Sequence, residues 1–417
     1  MQKFHDNTDI NFKKYFNQAN FIDYRTQPRA FKKYPHFFLS FNLDDYEELK
    51  FIKNIGKITD TKTYGKQTIN LRANPSAGGL YPCELYIQIR GVKALVSGIY
   101  HYIPLEDKIT LIHELSNDGL EYYFKDKNQK KFIFLISNAY FRSSWKYEKR
   151  AIRYLLLDTG HYIGSIYSAL KLENINFNID FNFDKNSLNE DFSFDNFENF
   201  YVAITSDTYK QIEPKKLRTP IVNVCACDYQ LKDEFIEDFY KSTSKDEFPI
   251  LSNINLLEDI NKENLQRAIT KRRSIRAFKN EAISKEEFEF ITKDIFEFAQ
   301  NLNIEIYFIN HNINNLKKGI YKNVSLQKEG DFKEIATKLG LNQKISGQSA
   351  FTIFFTSADI KNYFYLYILC GFISQILYLR TTSINLSSTG IGAYFDDESK
   401  DFFKTSNNIF YLFAIGK

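Results

Sequence analysis

The sequence predicts an α+β protein built from two copies of one unit. Three observations predict it. Short stretches recur in the same order in both halves. Brief apolar runs that follow polar loops read as buried strands. Each half also holds one long proline-free segment, apolar on most turns, that reads as a buried helix.

The echoes come first because a repeat fixes the architecture. SGIYHY (Ser97 to Tyr102) returns as KGIYKN (Lys318 to Asn323), and FIFLIS (Phe132 to Ser137) returns as FTIFFTS (Phe351 to Ser357). YLLLDTGHYIGSIYSAL returns as LYILCGFISQILYLRTT, with Gly160 answered by Gly371. FYVAITS (Phe200 to Ser206) returns as FYLFAIG (Phe410 to Gly416). These place copy one at about 1–208 and copy two at 260–417, with 209–259 as the connection. In that connection EPKKLRTP and STSKDEFP read as loops.

The elements follow in chain order. PSAGG, Pro75 to Gly79, is a loop of small residues that lets the backbone approach something flat or large. It runs into ELYIQIRG, which alternates and reads as a strand. Tyr147 to Leu172 and Asn362 to Thr382 are the two long helices. A helix apolar on nearly all sides is core or packs on a partner copy, so the two copies are expected to face each other as a dimer would. Lys146 and Tyr147 sit at the expected start of the first helix, where an amine or phenol of lowered pKa can accept or donate a proton. In copy two, AITKRRSIRAF places Arg272, Arg273 and Arg276 around Ser274. Guanidinium groups with a hydroxyl suit a phosphate, because all donate to its oxygens; a solvated basic helix end is the bland alternative. LSSTGIGAYFDD carries Gly390, Ile391 and Gly392, where glycine permits close backbone approach or positive φ.

Composition narrows the function classes. Hydrophobic residues make up 43% and charged residues 25%, as in ordinary globular proteins. A net charge of +4 is too small and dispersed to point to nucleic acid. No run of about eighteen apolar residues marks a membrane span, and the N-terminus lacks an apolar signal core. Cys83, Cys225, Cys227 and Cys370 are scattered, which suits free thiols in a reducing cytoplasm. The six histidines lie far apart, so no metal site is expected.

R-x-x-PSAGGLYP-x-ELY, GIYHY, WKY-x-x-R-x-x-R-Y-x-x-x-D-x-GH and a second unit opening RRSIRAF together resemble the nitroreductase superfamily. More closely they resemble its SagB/ThcOx branch of FMN-dependent dehydrogenases, which oxidise azolines in ribosomal peptide maturation. The resemblance implies two nitroreductase-like units, each a mostly antiparallel sheet flanked by helices, fused as an intramolecular pseudo-dimer. It implies that Arg272, Arg273, Ser274 and Arg276 grip the phosphate and ribityl end of FMN. It implies that the Gly390–Ile391–Gly392 loop lies along the flavin, and that Pro75, Ser76, Ala77, Gly78 and Gly79 reach it from the other copy. Copy two has no PSAGG loop. Copy one has no RRSIR; its nearest echo, Arg25 to Phe31, has Gln27 in place of the serine, and its late loop lacks glycine. These complementary losses imply one composite FMN site per chain.

Lys146 and Tyr147 match the branch's proton-abstracting pair, and Asp158 and His161 match its helix pattern in a structural role. Three readings follow. The first is an azoline dehydrogenase acting on a peptide beside a cyclodehydratase. The second is a nicotinamide-dependent reductase of nitro compounds or quinones, with a small-molecule substrate. The third is a decayed, non-catalytic flavin-binding scaffold. The lysine–tyrosine pair favours the first.

Overall fold

The computed structural model describes residues 1–15, 22–64 and 67–417. The chain divides into two compact units. One comprises 23–72 and 76–255; the other comprises 1–22, 73–75 and 256–417. We call these the N-unit and the C-unit.

The N-unit is built on an antiparallel sheet. Its strands are β1 (Cys83–Ile89), β2 (Gly98–Ile103), β3 (Lys108–Glu114), β4 (Phe132–Ala139), β5 (Phe177–Asp180) and β6 (Glu198–Ser206). Their order is β3-β2-β1-β4-β6-β5, with short edge strands Ser40–Asn42 beside β3 and Leu251–Ser252 beside β5. Two helices, α1 (Phe141–Tyr147) and α2 (Ala151–Leu172), follow β4. All of α2 except Lys171 is buried, which explains its lack of a polar face. β1, β4 and β6 are buried at every position. The polar side chains in them must therefore find partners inside the unit. Glu84 meets Arg142 at 2.6 Å and His101 at 2.9 Å. Glu198 accepts from Lys32, Tyr86 and Ser137.

The C-unit repeats this topology. After helix α3 (Lys262–Lys271) come β7 (Glu305–Asn310), β8 (Gly319–Lys322), β9 (Ser325–Glu329), β10 (Phe351–Ser357), helix α4 (Tyr363–Ser383), β11 (Ser387–Ile391) and β12 (Asn408–Gly416). The order is β9-β8-β7-β10-β12-β11, antiparallel throughout. Strand for strand this is the N-unit order, and the echoed stretches fall on the equivalent β2 and β8, β4 and β10, α2 and α4, and β6 and β12.

Two expectations are corrected. The long N-unit helix does not begin at Tyr147: α1 ends there, Glu148 takes φ +47°, and α2 starts at Ala151. Lys146 and Tyr147 thus close one helix rather than open another. STSKDEFP is not all loop, since Ser242 and Thr243 belong to the helix Glu234–Thr243. Of the two roles expected for Gly390 and Gly392, positive φ is found at neither. The helix α4 is long and apolar enough to cross a membrane by length and composition, and it is buried within the protein. Interior packing on all sides gives the same composition as a lipid environment.

Candidate functional site

The loop Pro75 to Gly79 needs its glycines for shape. Gly78 and Gly79 have φ of +66° and +69°, and Tyr81, three residues beyond Gly78, has φ +47°. A tyrosine in the left-handed region is costly and persists only where its surroundings over-determine it. Here the Tyr81 N–H donates to Ser76 Oγ (2.8 Å), its hydroxyl accepts from the Arg72 N–H (2.9 Å), and its carbonyl accepts from Arg142 Nη1 (3.0 Å). Arg72 also lies 4.5 Å from the centre of the Tyr81 ring.

Asp158 on α2 ties this loop to the core. Its carboxylate accepts from Ser76 Oγ at 2.5 Å and from the Ala77 N–H at 3.2 Å. Burial pushes its pKa up to about 7, against the lowering effect of the two hydrogen bonds and of Arg72.

The same loop meets the lysine–tyrosine pair. A Cβ on Gly78 would stand 2.7 Å from Tyr147 Oη and 3.4 Å from Lys146 Nζ. The pair is half-buried at the end of α1. Lys146 Nζ lies 5.4 Å from the Tyr24 ring centre and 5.5 Å from that of Tyr147, within cation–π range. The Tyr147 ring packs on Tyr154 at 4.4 Å. The N-unit thus brings Ser76, Ala77, Gly78, Lys146, Tyr147 and Asp158 into one place. The echo segment is different: Arg25 is exposed and paired with Asp23 at 2.7 Å.

The C-unit assembles the other predicted residues around Tyr378, which sequence reasoning missed. The Tyr378 hydroxyl lies 2.7 Å from Ser274 Oγ and accepts from the Gly390 N–H at 2.7 Å. Ser274 also bridges to Ser388, beside β11's glycine. Gly390 is required by close approach, since a Cβ there would fall 1.8 Å from Tyr411 Oη. Arg272 is buried, lies 5.1 Å from the Tyr378 ring centre, and donates from Nε to the carbonyl of Ala73 at 2.5 Å. Arg273 donates to the carbonyls of Arg272 (2.7 Å) and Thr270 (3.4 Å), capping the end of α3. Ser274 and Arg276 are exposed. The pattern of aromatics on α4 carried no signal that Tyr378 would meet Ser274 and Gly390.

These residues fit a flavin mononucleotide. Ser274 and Arg276 supply a hydroxyl and a guanidinium suited to a phosphate. Beside Ala73, the side-chain oxygens of Asn74 and Gln375 are buried without hydrogen-bond partners among the described residues, and Gln375 Nε2 donates to the Ala73 carbonyl at 3.4 Å. Two buried acceptors suit the N–H edge of a heteroaromatic ring.

Comparison with known proteins bears on the fold. Residues 269–417 match the Nitroreductase family. A Methanocaldococcus jannaschii protein, MJ1384, provisionally named a nitroreductase, is 32% identical over 99 residues. That match spans 22% of this chain and 49% of the relative, about half its length. A crystal structure of a provisionally named nitroreductase from Anabaena variabilis covers 100% of this chain and 99% of its own, with a TM-score of 0.82 and 22% identity. It shares the fold of the whole chain. The E. coli microcin synthetase McbBCD complex, with truncated pro-MccB17 bound, covers 49% of this chain and 85% of its own at 14% identity, with a TM-score of only 0.32. The family match lies in the C-terminal segment, residues 269–417.

Proposed function

We propose that the chain is an FMN-dependent oxidoreductase that oxidises an azoline in a peptide to the azole. The meeting of Gly78 with Lys146 Nζ and Tyr147 Oη carries this reading. A simple reductase needs no proton acceptor beside that loop. Ser274 and Arg276 would hold the phosphate, with Arg272 and Arg273 shaping the segment they stand on. The backbone of Gly390 to Gly392 and that of Pro75 to Gly79 would lie along the ring. Bound FMN supplies a two-electron acceptor. Lys146 or Tyr147 takes the proton from the azoline carbon, and the other holds the acceptor in place. A cyclodehydratase is the partner chemistry that would supply an azoline. The complementary sequence losses of the two copies support one FMN per chain.

The test begins with purified protein. Flavin is counted by visible absorbance and by FMN released on denaturation, with about one per chain expected. Lys146→Ala and Tyr147→Phe should keep that flavin and lose azoline oxidation by about 10²-fold or more. Full activity in both would remove them from the chemistry. Nitro or quinone reduction that ignores both changes, with no azoline turnover, would favour the small-molecule reductase. A chain that takes up no added FMN would sink the catalytic reading.

A further inference from the structure

Asp158 is a buried carboxyl 82 residues from the loop it contacts. It accepts from the Ser76 hydroxyl and the Ala77 N–H at once. Ser76 Oγ in turn accepts from the Tyr81 N–H. The serine proton therefore points at the carboxylate, and its oxygen is engaged by the far side of the turn. One residue after Ala77 comes Gly78, against Tyr147 Oη and Lys146 Nζ. The chain of contacts runs unbroken from a charge on α2 to the proton-handling pair.

We propose that Asp158 is a positioning residue: its carboxylate clamps Ser76 and Ala77 so that Gly78 stays against Lys146 and Tyr147, and protonation loosens the clamp. The ionised group has acceptor sites for both donors. Once neutral, it gains a proton of its own, which must be donated. With that proton on Oδ2, the oxygen that accepts from Ser76, the bond reverses and the serine proton loses this acceptor. The groups facing Asp158 restrict what else titrates. The buried Cys83 thiol has its pKa pushed up by burial and by Asp158. His161 lies three residues on along α2. Burial places the titration of Asp158 at about 7, within reach of ordinary conditions.

The inference rests on the proposed function only for what the clamp serves, so its test does not require flavin. Amide hydrogen exchange of the segment 72–85 is measured from pH 5.5 to 8.5 and corrected for intrinsic rates. Wild-type protection should rise by about tenfold through a midpoint near pH 7, as a charge-assisted hydrogen bond forms. Asp158→Asn, which mimics the neutral carboxyl, should show the low-pH protection at every pH. Ser76→Ala attacks the same bond from the loop side and should also flatten the profile. It carries the test if the Asn variant does not fold. A flat wild-type profile, or a wild-type midpoint retained in either variant, would overturn the clamp. If the midpoint appears and FMN never binds, the proposed function fails and the clamp stands. If FMN binds and the profile is flat, the clamp alone fails.

Discussion

At the scale of single residues, the loop from Pro75 to Tyr81 shows how much strain a short segment can hold. Three of its residues lie in the left-handed region, and only two are glycine. Glycine at 78 and 79 could be read from sequence, because it is the residue that takes that conformation freely. The tyrosine could not, because its backbone is held by Arg142 and Ser76 from elsewhere in the chain. Asp158 adds a linkage effect. Its folded pKa, about 7, lies above the ordinary carboxyl value. Relative to the unfolded chain, where the carboxyl is solvated, the protonated form therefore stabilises the fold, fully below the unfolded pKa near 4, and that contribution is lost as pH rises through 7; the loop bonds, which lower the pKa, favour the ionised form. Urea unfolding of wild type and Asp158→Asn across pH 4 to 8 should show wild type losing stability relative to the variant with rising pH. A constant difference would show that Asp158 does not titrate in that window.

At the scale of elements, the strands were legible because short apolar runs between polar loops are a local signal, and FIFLIS and FTIFFTS lie within buried strands. The helix boundary at Lys146 and Tyr147 was not. The break falls in KYEKR, which holds neither proline nor glycine, so no local stop signal marks the kink made by a φ of +47° at Glu148. The glycine of β11 was noted for close approach or positive φ, and the structure shows close approach. Gly390 is needed for space, with Tyr411 Oη where a Cβ would be, and not for positive φ. Gly390→Ala should cost about 1–3 kcal/mol by overpacking. Tyr411→Phe in the same chain should recover part of it, read from the urea midpoints. An alanine variant as stable as wild type would mean that the tyrosine moves aside freely.

At the scale of the whole molecule, two sheets share one strand order, yet their site residues differ. Exposed Ser274 and Arg276 stand in the C-unit; in the N-unit's echo, Arg25 is paired with Asp23. If one FMN binds per chain, Arg276→Ala with Ser274→Ala should empty the chain of flavin. A loss of half of a two-FMN content would instead reveal a second working site. The sequence by itself determined the α+β class, the repeated strands and long helices, and the residue types suited to a phosphate and a proton. It did so because apolar patterning and glycine content are local properties. Only the tertiary structure decided that Asp158 holds Ser76, that Tyr378 joins Ser274 to Gly390, and that Arg272 donates to Ala73. A buried polar group must find a partner wherever folding brings one, and the distance between partners along the chain carries no pattern that a sequence displays.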